Sequence, residues 1–113
     1  MKKNYRHKDY QHTVILNNIT NKLKYCLEYN KYLSVSLKIH SHGNFNNYIF
    51  INVDNLYIIK CSLLKINYLM FGITIQKIKN KKHRKNFVIH GNSDTITNKI
   101  INIGSNLLEN EHI

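Results

Sequence analysis

Ten consecutive residues, Lys77-Ile78-Lys79-Asn80-Lys81-Lys82-His83-Arg84-Lys85-Asn86, include six Lys or Arg and no acid. Like charges at this density repel one another, and phosphate contact is the chemistry that relieves them. Phosphate binding is therefore predicted for Lys77, Lys79, Lys81, Lys82, Arg84 and Lys85. A second basic stretch, residues 1–12, holds Lys2, Lys3, Arg6, His7, Lys8 and His12. It reads either as a solvated arm or as an arm that touches phosphate. His40 and His42 are two apart, which on a strand puts them on one face, and Asn44, Asn46 and Asn47 follow. Short amides at such a turn bond backbone, phosphate or a base edge. Tyr48, Phe50 and Tyr57 are candidates for rings on the outer face of a sheet, where bases stack.

Other chemistry finds little support. The carboxylates are Asp9, Glu28, Asp54, Asp94, Glu109 and Glu111, with no convergent set of the kind a two-metal nuclease needs. His40 and His42 lack a third nearby ligand, so no metal site is expected. Cys26 and Cys61 have no CxxC partner and read as reduced thiols. A nucleophile pair of Cys61 with His40 or His90 would rest on residue identity alone. Glycines stand singly at 43, 72, 91 and 104, so no Gly-rich phosphate loop is present. The chain reads as a non-enzyme without cofactor or small-molecule substrate.

The composition points the same way. Of 113 residues, 17 are Lys or Arg and 6 are Asp or Glu; the net charge is +11 and the pI about 9.8. That imbalance implies a polyanionic partner. Lys, Asn, Ile and Tyr are the residues of AT-rich codons, so base composition alone raises Lys and Asn, and an organellar genome fits. No apolar run reaches the roughly 18 residues of a membrane span. The N-terminus lacks the apolar segment of a secretory signal and the Arg/Ser bias of a transit peptide. Local synthesis in an organelle is thus expected.

These residues need elements to hold them. Tyr48-Ile49-Phe50-Ile51-Asn52-Val53 alternates, with Ile49, Ile51 and Val53 on one face, so it predicts a strand. Asp54-Asn55 suits a tight turn, and an apolar run resumes from Leu56 to Cys61. Ser34 to His40 alternates too, and His42-Gly43-Asn44 supplies another turn. Ile15, Leu16, Ile19, Leu23, Cys26 and Leu27 predict a helix over Thr13–Tyr32, with Thr13 as its cap. Leu63, Ile66, Leu69 and Ile73 keep helical spacing, predicting a helix from Leu63 at least to Phe71. Phe87 to Gly91 reads as a fourth strand, reached by a right-handed crossover. Ser93-Asp94-Thr95 offers a cap for a last helix from about Asp94 to Leu108. The expected fold is α/β: a small mixed sheet of three consecutive antiparallel strands followed by helix, strand and helix, with an extra N-terminal helix. Residues 1–33 form the arm and that helix, and 34–113 a single domain.

The segment Ile39-His40-Ser41-His42-Gly43-Asn44-Phe45-Asn46-Asn47-Tyr48-Ile49-Phe50-Ile51-Asn52-Val53-Asp54 resembles the signature of the eleventh small-subunit ribosomal protein family. Phe45, Asn46, Asn47, Ile49 and Asp54 match in order, with His40 near its expected place. Cys61-Ser62 falls where the family's second hairpin strand ends. Phe87-Val88-Ile89-His90-Gly91 is similar to its later strand, which ends in a Gly-rich turn before a helix. The family's order of strands, helix, strand, helix is the order read above. Its Gly- and Lys-rich segment before the first helix and its basic C-terminal tail have no counterpart here.

The resemblance implies a structural rRNA-binding constituent of the small ribosomal subunit, on the platform of a divergent mitochondrial ribosome. Its partners would be small-subunit rRNA and neighbouring ribosomal proteins, with no membrane. The implied RNA contacts are the six basic residues of 77–85, the arm residues Lys2, Lys3, Arg6 and Lys8, the turn residues His40, His42, Asn46 and Asn47, and His90. The tenth family would align Asp54–Gly72 as its helix and the Lys cluster as an rRNA-penetrating loop; the eighth would align Leu64–Ile78. A non-ribosomal RNA- or DNA-binding module and a protein-bridging subunit are the other readings.

Overall fold

A computed structural model describes the backbone of residues 2–38 and 47–111 and the side chains of 10–38 and 47–110. Helix α1 (Lys2–Cys26) leads into five strands: β1 (Leu33–Lys38), β2 (Tyr48–Val53), β3 (Tyr57–Lys65), β4 (Met70–Lys77) and β5 (Arg84–His90). Helix α2 (Ser93–Glu111) closes the chain. The strands form one antiparallel sheet in the order β1-β2-β3-β4-β5.

This is not the expected fold. The mixed sheet of three strands followed by helix, strand and helix is replaced by a five-stranded meander. The segment from Leu63 to Phe71, expected as a helix, is the end of β3, a turn and the start of β4. Leu63, Phe71 and Ile73 are buried on one face on either side of that turn, so period-two burial governs. Their helical spacing arises because the turn and a bulge between Leu63 and Lys65 interrupt the alternation. β-branched Ile73, Thr74 and Ile75 favour the extended form. The fourth expected strand, Phe87–Gly91, needs no crossover: it belongs to β5, paired antiparallel with β4 from Met70↔His90 to Gln76↔Arg84. The first helix starts at Lys2 rather than Thr13, so the basic arm is helical from there.

Both helices share one face of the sheet. Leu16, Ile19 and Leu23 of α1, Leu27 just after it, and Ile96 and Ile100 of α2 are buried with Ile49, Ile51, Val53, Ile59, Cys61, Phe71 and Ile73. The turn between β2 and β3 fixes their register. Asp54 and Asn55 have φ of 52° and 58°, the positive values that short polar residues tolerate. Leu56 N–H donates to the Val53 carbonyl at 2.9 Å, and Val53 then pairs with Tyr57. Gly91, at φ +147°, ends β5; a Cβ there would lie 2.8 Å from Thr95 Cγ2. Asn92 rather than Ser93 caps α2, its Oδ1 accepting from Thr95 N–H at 2.8 Å. Lys22 joins the two helices through Asp94 at 2.7 Å.

Candidate nucleic-acid interface

The basic run folds as the β4–β5 hairpin. Asn80 organises its tip: its carbonyl accepts from His83 N–H at 3.0 Å, and its Oδ1 from Lys82 N–H at 3.3 Å. Gln76 Nε2 donates to the Lys81 carbonyl at 3.1 Å. Ile78 N–H, at the base, donates to the Leu56 carbonyl at 3.0 Å, which anchors the hairpin to the turn before β3. Lys77, Lys79, Lys81, Lys82, Arg84 and Lys85 are all exposed. Among the described residues the one ion pair is Lys22–Asp94, so none of these six is neutralised by a carboxylate there.

Beside the hairpin lies the sheet face that neither helix covers. Cross-strand partners share a face, so the register assembles it row by row. One row runs Ser36, Phe50, Lys60, Thr74, Asn86; the next runs Lys38, Tyr48, Ser62, Gly72, Val88. Lys38 stands opposite Tyr48 but reaches diagonally, its Nζ 4.8 Å from the Phe50 ring centroid. Lys60 stands opposite Phe50 and reaches the other way, its Nζ 3.9 Å from the Tyr48 centroid. The rings meet edge-on at 5.9 Å. Such exposed cation–π contacts are each worth about 0.5–1 kcal/mol, little enough for a competing phosphate to draw the ammonium away. A shallow hollow of about 180 Å³ adjoins Phe50, lined also by Lys60, Thr74, Arg84 and Asn86. Among the described residues no acid stands on this face.

On the opposite face, a cleft of about 410 Å³ opens between the hairpin base and the second half of α2. Tyr57, Ile75 and Phe87 line it from the sheet, and Ile103 and Leu107 from the helix. Lys77, His83, Arg84 and Lys85 form one side, and Asn106 and Asn110 the other.

The predicted site residues are therefore only partly brought together. The six basic residues of 77–85 share one hairpin. His90 ends β5 near them in sequence, exposed, with its ring 5.9 Å from that of Tyr68. Asn47 immediately precedes β2, at the Lys38 end of β1. Lys2, Lys3, Arg6 and Lys8 lie on the first turns of α1, where only the backbone is described. His40, His42 and Asn46, with Gly43 and Phe45, lie outside the described residues. Tyr57 is not on the outer face as expected. Three residues separate it from Val53, its partner, so it takes Val53's core face and is 8% exposed. Lys38 and Lys60 join the outer face without being predicted from the sequence. The signal was there in the alternation of β1 and β3, but reading it needs the register.

Cys61 is fully buried, and desolvation pushes its thiol from 9.0 up to about 12. It is a protonated core side chain at neutral pH, unsuited to nucleophilic work. Cys26 is exposed. Among the described residues no three His, Cys, Asp or Glu side chains gather as a metal site. No described helix is long and apolar enough to cross a membrane. Comparison with protein-family models, with curated proteins and with solved structures gives no match.

Proposed function

We propose that this protein is a structural RNA-binding component, with its uncovered sheet face and its β4–β5 hairpin turned to the RNA. One observation carries the reading. Two rings capped by ammonium groups lie on a face without acids, and that face runs through Arg84 into a hairpin of six unneutralised cations. Phosphates would draw the hairpin cations and release Lys38 and Lys60 from the rings, leaving Tyr48 and Phe50 as stacking surfaces. The 2′-hydroxyls and unstacked bases of folded RNA suit such a surface better than duplex DNA, whose bases are read from within grooves.

The particle we propose is the small ribosomal subunit of a mitochondrion, with rRNA and neighbouring ribosomal proteins as partners. The support is the Phe45-Asn46-Asn47 stretch and the match of Ile49 and Asp54. The order of elements no longer supports it, because an antiparallel meander stands where helix, strand and helix were expected. That difference favours a second reading, a free-standing RNA-binding module. Sedimentation of a tagged chain separates the two. Comigration with the small subunit through a high-salt gradient is the expected result; a chain found only at the top of the gradient, yet binding RNA when purified, is the free-standing module. Failure to bind RNA at low salt would remove both.

A further inference from the structure

We infer that the cleft between the hairpin base and α2 holds one unpaired nucleotide of the bound RNA. The inference rests on the RNA-binding reading above and adds a site on the other face of the sheet. The cleft's three sides match the three parts of a nucleotide. Its floor is apolar and aromatic, with Tyr57 and Phe87 from the sheet and Leu107 from the helix, which suits the face of a base. On one side stand Lys77, Arg84 and Lys85. Lys77 Nζ is 5.8 Å from the Tyr57 ring centroid and Lys85 Nζ is 6.0 Å from that of Phe87, at the outer limit of attraction. Both ammonium groups are thus free to turn to a phosphate. The opposite side offers the uncharged amides of Asn106 and Asn110, each with donors and an acceptor for a base edge.

Electrostatics fixes the orientation. The amides stand near the C-terminal end of α2, where the helix dipole is negative and Glu109 lies between them in sequence. Phosphate is repelled from that side and drawn to the hairpin, so the base edge turns to the amides. A volume of about 410 Å³ is within the range of small-ligand sites. A paired base would first have to leave its stack, whereas a bulged or looped one is already free. Arg84 lines both this cleft and the hollow beside Phe50. A strand bending round the β5 edge therefore touches both faces at one residue.

The test compares an RNA hairpin carrying a single-nucleotide bulge with the same hairpin fully paired, by fluorescence anisotropy at one salt concentration. Two variants accompany the wild type. Asn106→Phe fills the cleft from an exposed helix position, and Phe87→Leu removes a ring but keeps apolar bulk; circular dichroism melts check the fold of each. The wild type should prefer the bulged probe tenfold or more. In both variants the preference should fall below threefold, with affinity for the paired probe within twofold of wild type. Equal wild-type affinity for the two probes overturns the cleft assignment while leaving RNA binding intact. So does a preference that survives both substitutions. Adenosine monophosphate alone binding as tightly as the bulged hairpin would assign the cleft to a free nucleotide and overturn its assignment to RNA. No binding to either probe overturns the RNA-binding reading and this inference with it.

Discussion

Replacing Lys81, Lys82, Arg84 and Lys85 together by Gln removes four of the hairpin's six cations. All four side chains are exposed, and none makes an ion pair among the described residues. The substitutions should leave folding stability within about 0.5 kcal/mol of wild type per site, the usual range for surface changes. Each phosphate contact contributes about 0.7 to the slope of log affinity against log salt for a single strand, and about 0.9 for a duplex. Four lost contacts then flatten the slope by about 2.8 to 3.6. Between 50 and 200 mM salt, the wild type should lose roughly 50- to 150-fold more affinity than the variant. The assay is a salt titration of RNA binding for both proteins, with a denaturant melt as control. A slope that changes by less than one unit in a folded variant refutes phosphate contact by this hairpin. The charge would then be no more than a consequence of codon usage.

Three further outcomes follow from other parts of the molecule. Tyr48→Leu and Phe50→Leu should each weaken binding of a single-stranded oligonucleotide about 5- to 150-fold, the loss expected of one stacked base, without changing the salt slope; unchanged affinity in filter binding removes the rings from the interface. Gly91→Ala should cost about 1–3 kcal/mol in a denaturant melt, because φ is +147° and the new methyl would meet Thr95 at 2.8 Å; an unshifted midpoint contradicts that backbone. The Cys61 thiol, raised from 9.0 to about 12, contributes stability that is complete below pH 9 and declines as pH climbs toward 12. The stability gap between wild type and Cys61→Ala should therefore shrink by about 1.4 kcal/mol per pH unit above 9 in urea melts, and a constant gap refutes it.

What the sequence made legible depended on whether one periodicity stood alone. Around Tyr48 to Val53 nothing competes with alternation, and β2 spans those residues. At Leu63 to Ile73 two periods coincide, because a turn at 66–69 and a bulge reset the alternation so that it matches helical spacing. Only the cross-strand partners, Leu63↔Phe71 and Cys61↔Ile73, decide between them. The first turns of α1 carry no apolar stripe to detect; Lys, Arg and Gln there have helical propensity without amphipathic pattern. The hairpin cations needed no fold to be found, since contiguity alone exposed them. The pairing of Lys38 with Phe50 and of Lys60 with Tyr48 is a property of register, and so is the burial of Tyr57.

Placing both helices on one face separates what holds the protein together from what it offers to a partner. Phe71, Ile51, Ile59 and Ile73 face the helices and are almost wholly buried. Tyr48, Phe50, Lys38 and Lys60 alternate with such residues along the same strands and face away. A substitution on the outer face should therefore change recognition with little effect on folding, which makes the binding tests interpretable. The same geometry bears on codon bias. AT-rich codon usage would account for how much Lys and Asn the chain contains, but not for which positions lack acids. Surface positions admit either sign: Asp54 occupies the β2–β3 turn and Asp94 the first turn of α2. Six cations on one hairpin without a single carboxylate repel one another in the free protein, a cost that disappears when an anion lies across them. The side chains that would strengthen the folded monomer are thus withheld where a polyanion would make them unnecessary.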